Sequence, residues 1–261
     1  MIAPPLALRY PAMVRTARAA IRTVVLVPFF FLYTLAQSAH VLWIGKRNRN
    51  SPKIEKVIQT WSRQFLQIPP VEIMVEGREH VTPGTRYVVV SNHISNFDIP
   101  VLFRAIPTPI RFLAKKELYK IPLLGPGMNV AGIVKVDRGG VRSSREAISE
   151  AARETYQRGY SLLVFAEGTR SRTGEMADFR TGAVRIARDN KANLLPVVIS
   201  GSFDINPPGS KLIYPGRVQV KILPPVPSSD IEPADIRKVT DQIRTDMGTV
   251  YDELRLRGTE D

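Results

Sequence analysis

The stretch "YVVVSNHISNFDIP", Tyr87 to Pro100, decides how the rest of the chain is read. A short apolar run meets Ser91, Asn92 and His93, and five residues later comes Asp98, followed by Ile99-Pro100. The run is β-rich and apolar throughout, as in a strand covered on both faces. A helix is expected over 98–105. His93 is one of only three histidines. Five residues along an ideal helix point about 140° apart, so a continuous helix would separate His93 from Asp98. A tight strand-to-helix turn would instead fold Asp98 back onto the ring. The carboxylate would then hold one ring N–H, fix the tautomer and leave the other nitrogen as a base. The other reading makes Asp98 a plain N-cap of the following helix; both can hold together. His40 and His80 have no comparable setting.

Outward from this stretch, β-rich runs alternate with helical patterns. Strands are expected at 71–76, 86–92, 110–114, 131–136, 161–166, 194–200 and 217–223. Helices are expected at 98–105, 141–157, 181–189 and 233–256. This alternation predicts an α/β fold: a largely parallel or mixed central sheet of about seven strands flanked by helices. Ligands gather at the carboxyl ends of strands in such sheets, and His93 and Glu167 each sit just past one.

The formal charge is +13, and residues 1–60 hold nine basic residues against Glu55 alone. The excess brackets an apolar segment, "TVVLVPFFFLYTLAQSAHVLWIG", Thr23–Gly45. That arrangement points to anionic lipid rather than nucleic acid. As a helix the segment would run roughly 33 Å, about one hydrocarbon thickness. A cleaved signal peptide fits poorly, because apolar residues resume with "VLWI" and a second basic cluster follows. "SPKIEKVIQTWSRQFLQIPP" follows, with Ser51 as helix cap and Pro52 at the first position. Its apolar residues repeat at helical spacing, which reads as an interfacial helix or as an ordinary helix packed on the globular domain. Residues 1–68 are thus expected to form a membrane-associated helical element and 69–261 an α/β domain. The element either sits in one leaflet as two helices or includes a transmembrane helix. Cysteine is absent, which removes disulfide and zinc-thiolate schemes.

The second polar cluster is "VFAEGTRSRTG", Val164 to Gly174. A carboxylate, Glu167, ends a strand; Gly168 permits a sharp turn; Arg170 follows. Turn N–H groups plus a guanidinium suit a phosphate. Lys115 and Lys116 end another strand and can add charge beside it. The apolar, glycine-rich continuation of that strand either lines a groove or packs in the core. The chain has no G-x-S-x-G elbow, Walker loop, H-E-x-x-H site or G-x-G-x-x-G fingerprint. With no built-in nucleophile, the reacting hydroxyl belongs to a substrate, which His93 would activate against an acyl thioester.

These pieces, in this order, resemble the 1-acylglycerol-3-phosphate acyltransferase family, the PlsC-type enzymes. "NHISNFD" matches the family's N-H-x-x-x-x-D motif in full. "FLAKKEL…IPLLG…AGIVKVDR" corresponds to the second motif and "LPVVIS" to the fourth. "FAEGTR" matches the third, F-P-E-G-T-R, with Ala166 in place of proline. The resemblance spans about residues 71–223. It implies acyl transfer from acyl-CoA or acyl carrier protein to the sn-2 hydroxyl of lysophosphatidic acid, giving phosphatidic acid. His93 would be the general base and Asp98 its orienter. Arg170 with Lys115 would hold the phosphate, in a pocket shaped by Glu167, Gly168 and Thr169. No metal or organic cofactor and no nucleic acid is implied; the partners are membrane lipids and the acyl donor. The expected place is the cell membrane, with the catalytic domain on the cytoplasmic face. The rival functions are a related O-acyltransferase using glycerol 3-phosphate or another lyso-lipid, and a non-catalytic lipid-binding protein.

Overall fold

The computed structural model describes residues 12–136, 143–207, 209–210 and 212–260. The first two residues of the helix expected over 141–157, and the Asp137-Arg138 end of the second motif, lie outside the described residues. Seven strands form one sheet: β1 (Val71–Glu76), β2 (Tyr87–Ser91), β3 (Ile110–Lys115), β4 (Val134–Val136), β5 (Ser161–Phe165), β6 (Asn193–Ser200) and β7 (Gly216–Ile222), in spatial order β1-β7-β6-β2-β5-β3-β4. The five strands β6-β2-β5-β3-β4 run parallel. β7 pairs antiparallel to β6, and β1 runs parallel to β7, so the sheet is mixed at one edge.

The central strands β2, β5 and β6 are buried along nearly their whole length. That is why their sequences read as continuous apolar runs: helices cover both faces. On one face lie α1 (Ala12–Gly45), α2 (Pro52–Gln67), α3 (Asp98–Ala105) and α4 (Leu124–Ala131), sharing a core with Val89, Leu163, Leu195 and Val197. On the other lie α5 (Ser143–Gln157), α6 (Gly182–Asp189) and α8 (Ile236–Glu260), around Val88, Val90, Leu162 and Leu194. The short α7 (Ser202–Ile205) follows β6 directly. Alternate residues of one strand therefore feed opposite cores, as the pleat requires.

α1 is a single helix that carries Pro28 inside it. Its last part, through Val41 and Ile44, is built into the core. Its earlier part is two-faced: Ala19, Leu26 and Phe30 are buried against the protein, while the outward face is bare, with Val24 74% and Leu32 65% exposed. The span Ala19–Gly45 is long and apolar enough to cross a membrane. α2 begins as its sequence suggests, with Ser51 Oγ accepting the Lys53 N–H and Pro52 in the first turn. Its apolar stripe is spent on the protein: Ile54, Val57, Ile58 and Leu66 are buried in the shared core. So α2 follows the packed-helix reading rather than the interfacial one. A Phe30–Phe65 ring contact, with centroids 4.6 Å apart, and a Trp61 Nε1–Thr34 Oγ1 hydrogen bond of 3.0 Å hold α2 to α1.

Two sequence expectations need correction. Residues 124–131, "LGPGMNVA", form helix α4, where the sequence pattern predicts none, and Met128, Val130 and Ala131 follow the core-packing reading. The strand expected over 131–136 accordingly shrinks to Val134–Val136. The glycines that hide this helix are what let it pack. A Cβ on Gly127 would come within 2.8 Å of Ser38 Cβ, and one on Gly125 within 2.2 Å of the Tyr119 carbonyl oxygen.

Candidate active site

The carboxyl ends of β2, β5 and β3 lie side by side, and they carry His93, Glu167 and Lys115 respectively. The chain leaves β2 in a tight turn, not a helix, and Asp98 returns to the ring: its Oδ2 lies 2.7 Å from His93 Nδ1. The same oxygen accepts the N–H groups of Ile94 and Ser95, each at 2.8 Å. Oδ1 accepts the Ser202 hydroxyl at 2.6 Å. Asp98 is therefore the first residue of α3 but not its cap, because its carboxylate reaches backward to the turn. Phe97 occupies the cap position. Asp98 is wholly buried with four hydrogen bonds to its carboxylate, as a buried carboxylate requires.

The ring itself is held by stacking. One face lies on Phe165, with centroids 3.9 Å apart and planes 14° from parallel. With Nδ1 engaged by Asp98, Nε2 is the nitrogen left for a substrate. The His93 side chain is 14% exposed, enough for one edge to reach a ligand. The turn is fixed by Asn92, whose amide pairs with both backbone groups of Ile199 at 2.9 Å. This pins the end of β2 to β6.

Glu167 ties the two polar loops together. Its Oε1 accepts the His93 N–H at 2.7 Å and its Oε2 accepts the Ala177 N–H at 3.0 Å. Burial raises its pKa above the usual carboxylate range, and the two N–H donors partly oppose that rise. Gly168 has φ +78, a conformation that favours glycine, and it lies beside the Arg180 side chain. The Ser171 N–H returns to the His93 carbonyl at 2.8 Å. Thr169 and Arg170 follow on the rim of the turn. Arg170 Nη1 donates to Asn96 Oδ1 at 2.5 Å, and Asn96 Nδ2 donates to Asn206 Oδ1 at 3.0 Å. Lys115 is exposed, 3.7 Å from Glu117. Among the described residues no group of three or more His, Asp or Glu side chains gathers as a metal site would need.

The structure thus joins His93, Asp98 and Glu167 by direct contact, and places Arg170 one side chain away through Asn96. Lys115 stands on the same sheet edge, with Glu117 beside it. Three residues of the site are not singled out by the sequence. Ser202 lies over 100 residues from Asp98, yet it opens the segment after β6, which neighbours β2. A polar residue just past a buried strand end is the one signal available for it. Phe165 and Asn96 look like an ordinary strand residue and a motif spacer.

A His–Asp pair and a basic turn stand on the carboxyl edge of a mainly parallel sheet, and the sequence comparisons place this frame among the acyltransferases. The family model described as Acyltransferase matches residues 72–200, from β1 to the end of β6. The chain is 32% identical over 230 residues to the 1-acyl-sn-glycerol-3-phosphate acyltransferase alpha of Mus musculus, covering 88% of this chain and 80% of that one. To the protein of the same name from Homo sapiens it is 30% identical over 212 residues, 81% and 75% of the two chains. The crystal structure of the 1-acyl-sn-glycerophosphate (LPA) acyltransferase PlsC from Thermotoga maritima matches with a TM-score of 0.77 at 27% identity, covering 92% of this chain and 98% of that one. The protein belongs to the 1-acylglycerol-3-phosphate acyltransferase family of PlsC-type enzymes.

Proposed function

We propose that the protein moves a fatty acyl chain from acyl-CoA or acyl carrier protein to the sn-2 hydroxyl of 1-acylglycerol 3-phosphate, forming phosphatidic acid. The observation that carries this reading is the 2.7 Å contact between His93 Nδ1 and the buried Asp98, which leaves Nε2 for a substrate hydroxyl. Nε2 takes the hydroxyl proton as the oxygen attacks the thioester carbonyl. Asp98 holds the ring and stabilises the imidazolium that forms. The tetrahedral intermediate collapses, the C–S bond breaks, and the thiolate takes the proton from Nε2. The step draws on side chains and the acyl donor, with no metal or organic cofactor called for.

Arg170 is the proposed fork for the acceptor phosphate and Lys115 a second, less directional charge. Gly168 and Thr169 shape that turn, and Glu167 keeps it in register with His93. Residues 1–68 act as the membrane-associated element and 69–261 as the acyltransferase domain. The exposed apolar face on the first half of α1 and its flanking basic residues suit an anionic membrane surface. The catalytic domain faces the cytoplasm, where thioester donors are made. The test is lipid analysis after incubation with lysophosphatidic acid and a panel of acyl-CoAs, with glycerol 3-phosphate as a parallel acceptor. Phosphatidic acid formed only from the lyso-lipid is the expected result. Acylation of glycerol 3-phosphate alone, or no acylation, would overturn the assignment.

A further inference from the structure

The proposed chemistry leaves the connection from Lys116 to Leu123, a 3₁₀ turn over Lys116–Lys120 and the residues after it, without a role. Leu118 is 39% and Leu123 46% exposed, and Pro122 between them is exposed too. Leu123 sits at φ 63, ψ −46, and the Leu124 N–H donates to the Pro122 carbonyl at 2.7 Å. This is a γ-turn of the positive-φ kind, a strained conformation that a bulky side chain rarely adopts. Such strain persists only where the surroundings fix it. Here they do. The Gly125 N–H donates to the Ile121 carbonyl at 3.0 Å and the Gly127 N–H to the Leu123 carbonyl at 2.9 Å. Gly125 presses on the Tyr119 backbone, and the Tyr119 hydroxyl donates to the Ile133 carbonyl at 2.7 Å. A firmly held turn therefore presents a leucine to the outside.

Its position gives that leucine a partner. α4 lies against α1 with Gly127 at Ser38 and Val130 at Gly45, so the two helices run in the same sense. The start of α4, with Leu123 just before it, thus points toward the half of α1 whose outward face, through Val24, Val25, Phe31 and Leu32, is exposed and apolar. The loop is also basic: residues 115–121 hold Lys115, Lys116 and Lys120 against Glu117 alone. Apolar tips ringed by lysines beside a membrane-length apolar helix match an anionic bilayer surface in both apolarity and charge.

We propose that Lys116–Leu123 is a second membrane-contacting element, in which Leu118 and Leu123 enter the headgroup–acyl boundary while Lys120 meets lipid phosphates. The inference rests on the membrane and lyso-lipid reading above and adds to it. The loop continues directly from Lys115, so its insertion sets the sheet edge bearing His93 at headgroup depth. There a lyso-lipid presents its free hydroxyl.

The chain has no cysteine, so Leu118→Cys, Leu123→Cys and, as a control on the far face of the protein, Thr245→Cys each give one labelling site in the full-length protein. An environment-sensitive fluorophore on residue 118 or 123 is expected to shift to the blue with vesicles of phosphatidylcholine containing phosphatidylglycerol, and less with phosphatidylcholine alone. The label on residue 245 should stay unchanged. No shift at 118 and 123, or a shift that follows protein concentration without vesicles, overturns the proposal; the second outcome would make the loop a contact between copies. Whether lysophosphatidic acid is acylated is read separately, so a shift without turnover would sink the catalytic reading and leave the contact standing. Kinetics give a further check. The double variant Leu118→Ser/Leu123→Gly should lose roughly 5- to 10-fold in turnover of vesicle-borne acceptor and stay within about 2-fold on a short-chain acceptor dispersed as monomers. Glycine accepts positive φ without strain, so Leu123→Gly alone should leave Tm unchanged or raised while binding weakens. A fall in Tm with unchanged vesicle turnover would make Leu123 a structural residue.

Discussion

The two polar loops of the site are built on opposite plans. Around His93, the groups that hold the ring are enclosed and matched: Asp98 is buried under four hydrogen bonds, Asn92 is paired with Ile199, and the ring lies on Phe165. Around Arg170 the charged side chains stand in solvent, Arg172 among them, and Arg170 itself leans on the neutral amide of Asn96. A general base must hold one tautomer and one orientation, so rigidity helps it. An anion clamp needs its positive charge uncommitted until the anion arrives, because a buried guanidinium would already require a counter-charge. Glu167 bridges the two plans. It is held by an N–H from each loop, so the open loop is registered to the closed one without being closed itself.

If this contrast is right, damage to the closed loop should strike the chemical step hardest. His93→Ala is expected to keep the fold and lower kcat by about 10³-fold or more, near the upper range for a general base. Asp98→Asn should also be severely impaired, since an amide cannot accept all four donors. A His93→Ala enzyme within a few-fold of wild type in a steady-state assay would break the assignment. Damage to the open loop should read differently. Arg170→Ala is expected to raise the acceptor KM by roughly 10- to 100-fold, the scale of a charge-assisted hydrogen-bond pair, with a smaller effect on the donor KM. Arg170→Lys should recover only part, keeping charge without the fork. Lys115→Ala should cost less. Kinetics with both substrates varied decide it: an Arg170→Ala defect confined to the donor would move Arg170 out of the phosphate site.

The same contrast explains which features are legible in the amino-acid sequence. Strand ends and α3 are legible because apolar runs and the Asp98-Ile99-Pro100 start are local signals. β1 and α3 begin and end where the residue pattern places them. Helix α4 is not, since "GPGMNVA" has poor helix propensity and owes its form to close packing on Ser38 and Tyr119. α2 is ambiguous for a related reason: an amphipathic stripe does not say whether lipid or protein will cover it. In the site, the His93–Asp98 pair is legible because both partners lie in one short turn. Ser202 and Asn96 are not, because each acts across a gap that only the strand order β6-β2-β5 closes.

Ser202 offers a sharper cut through the closed loop. Its hydroxyl is fully buried and serves Asp98 Oδ1, so Ser202→Ala removes a donor without touching the ring. The expected cost is about 1–2 kcal/mol of stability, the usual penalty for an orphaned buried acceptor. With the ring less firmly held, kcat should drop several-fold while the acceptor KM stays near its wild-type value. Denaturant melts and kinetics on one preparation separate the two effects. A shift in acceptor KM with unchanged kcat would place Ser202 on the phosphate side of the site.

The smallest expected effect belongs to the bridge. Burial raises the Glu167 pKa in the folded state above its ordinary value of 4.5, so the native protein holds this proton more tightly than the unfolded chain does. The sign follows. Stability from this group is fully present below the unfolded pKa and is lost as pH rises through the raised folded value. Glu167→Gln removes the titration, yet it also replaces one of two acceptors by an N–H₂ facing a backbone donor. The variant should therefore be less stable than wild type at acid pH, and the gap should narrow as pH rises above 4.5. Equilibrium denaturation of both proteins across that range measures the gap directly. A gap that widens with pH would mean that the His93 and Ala177 N–H groups outweigh burial. The carboxylate would then be stabilised as an anion, and the tie between the two loops would strengthen, not loosen, toward neutral pH.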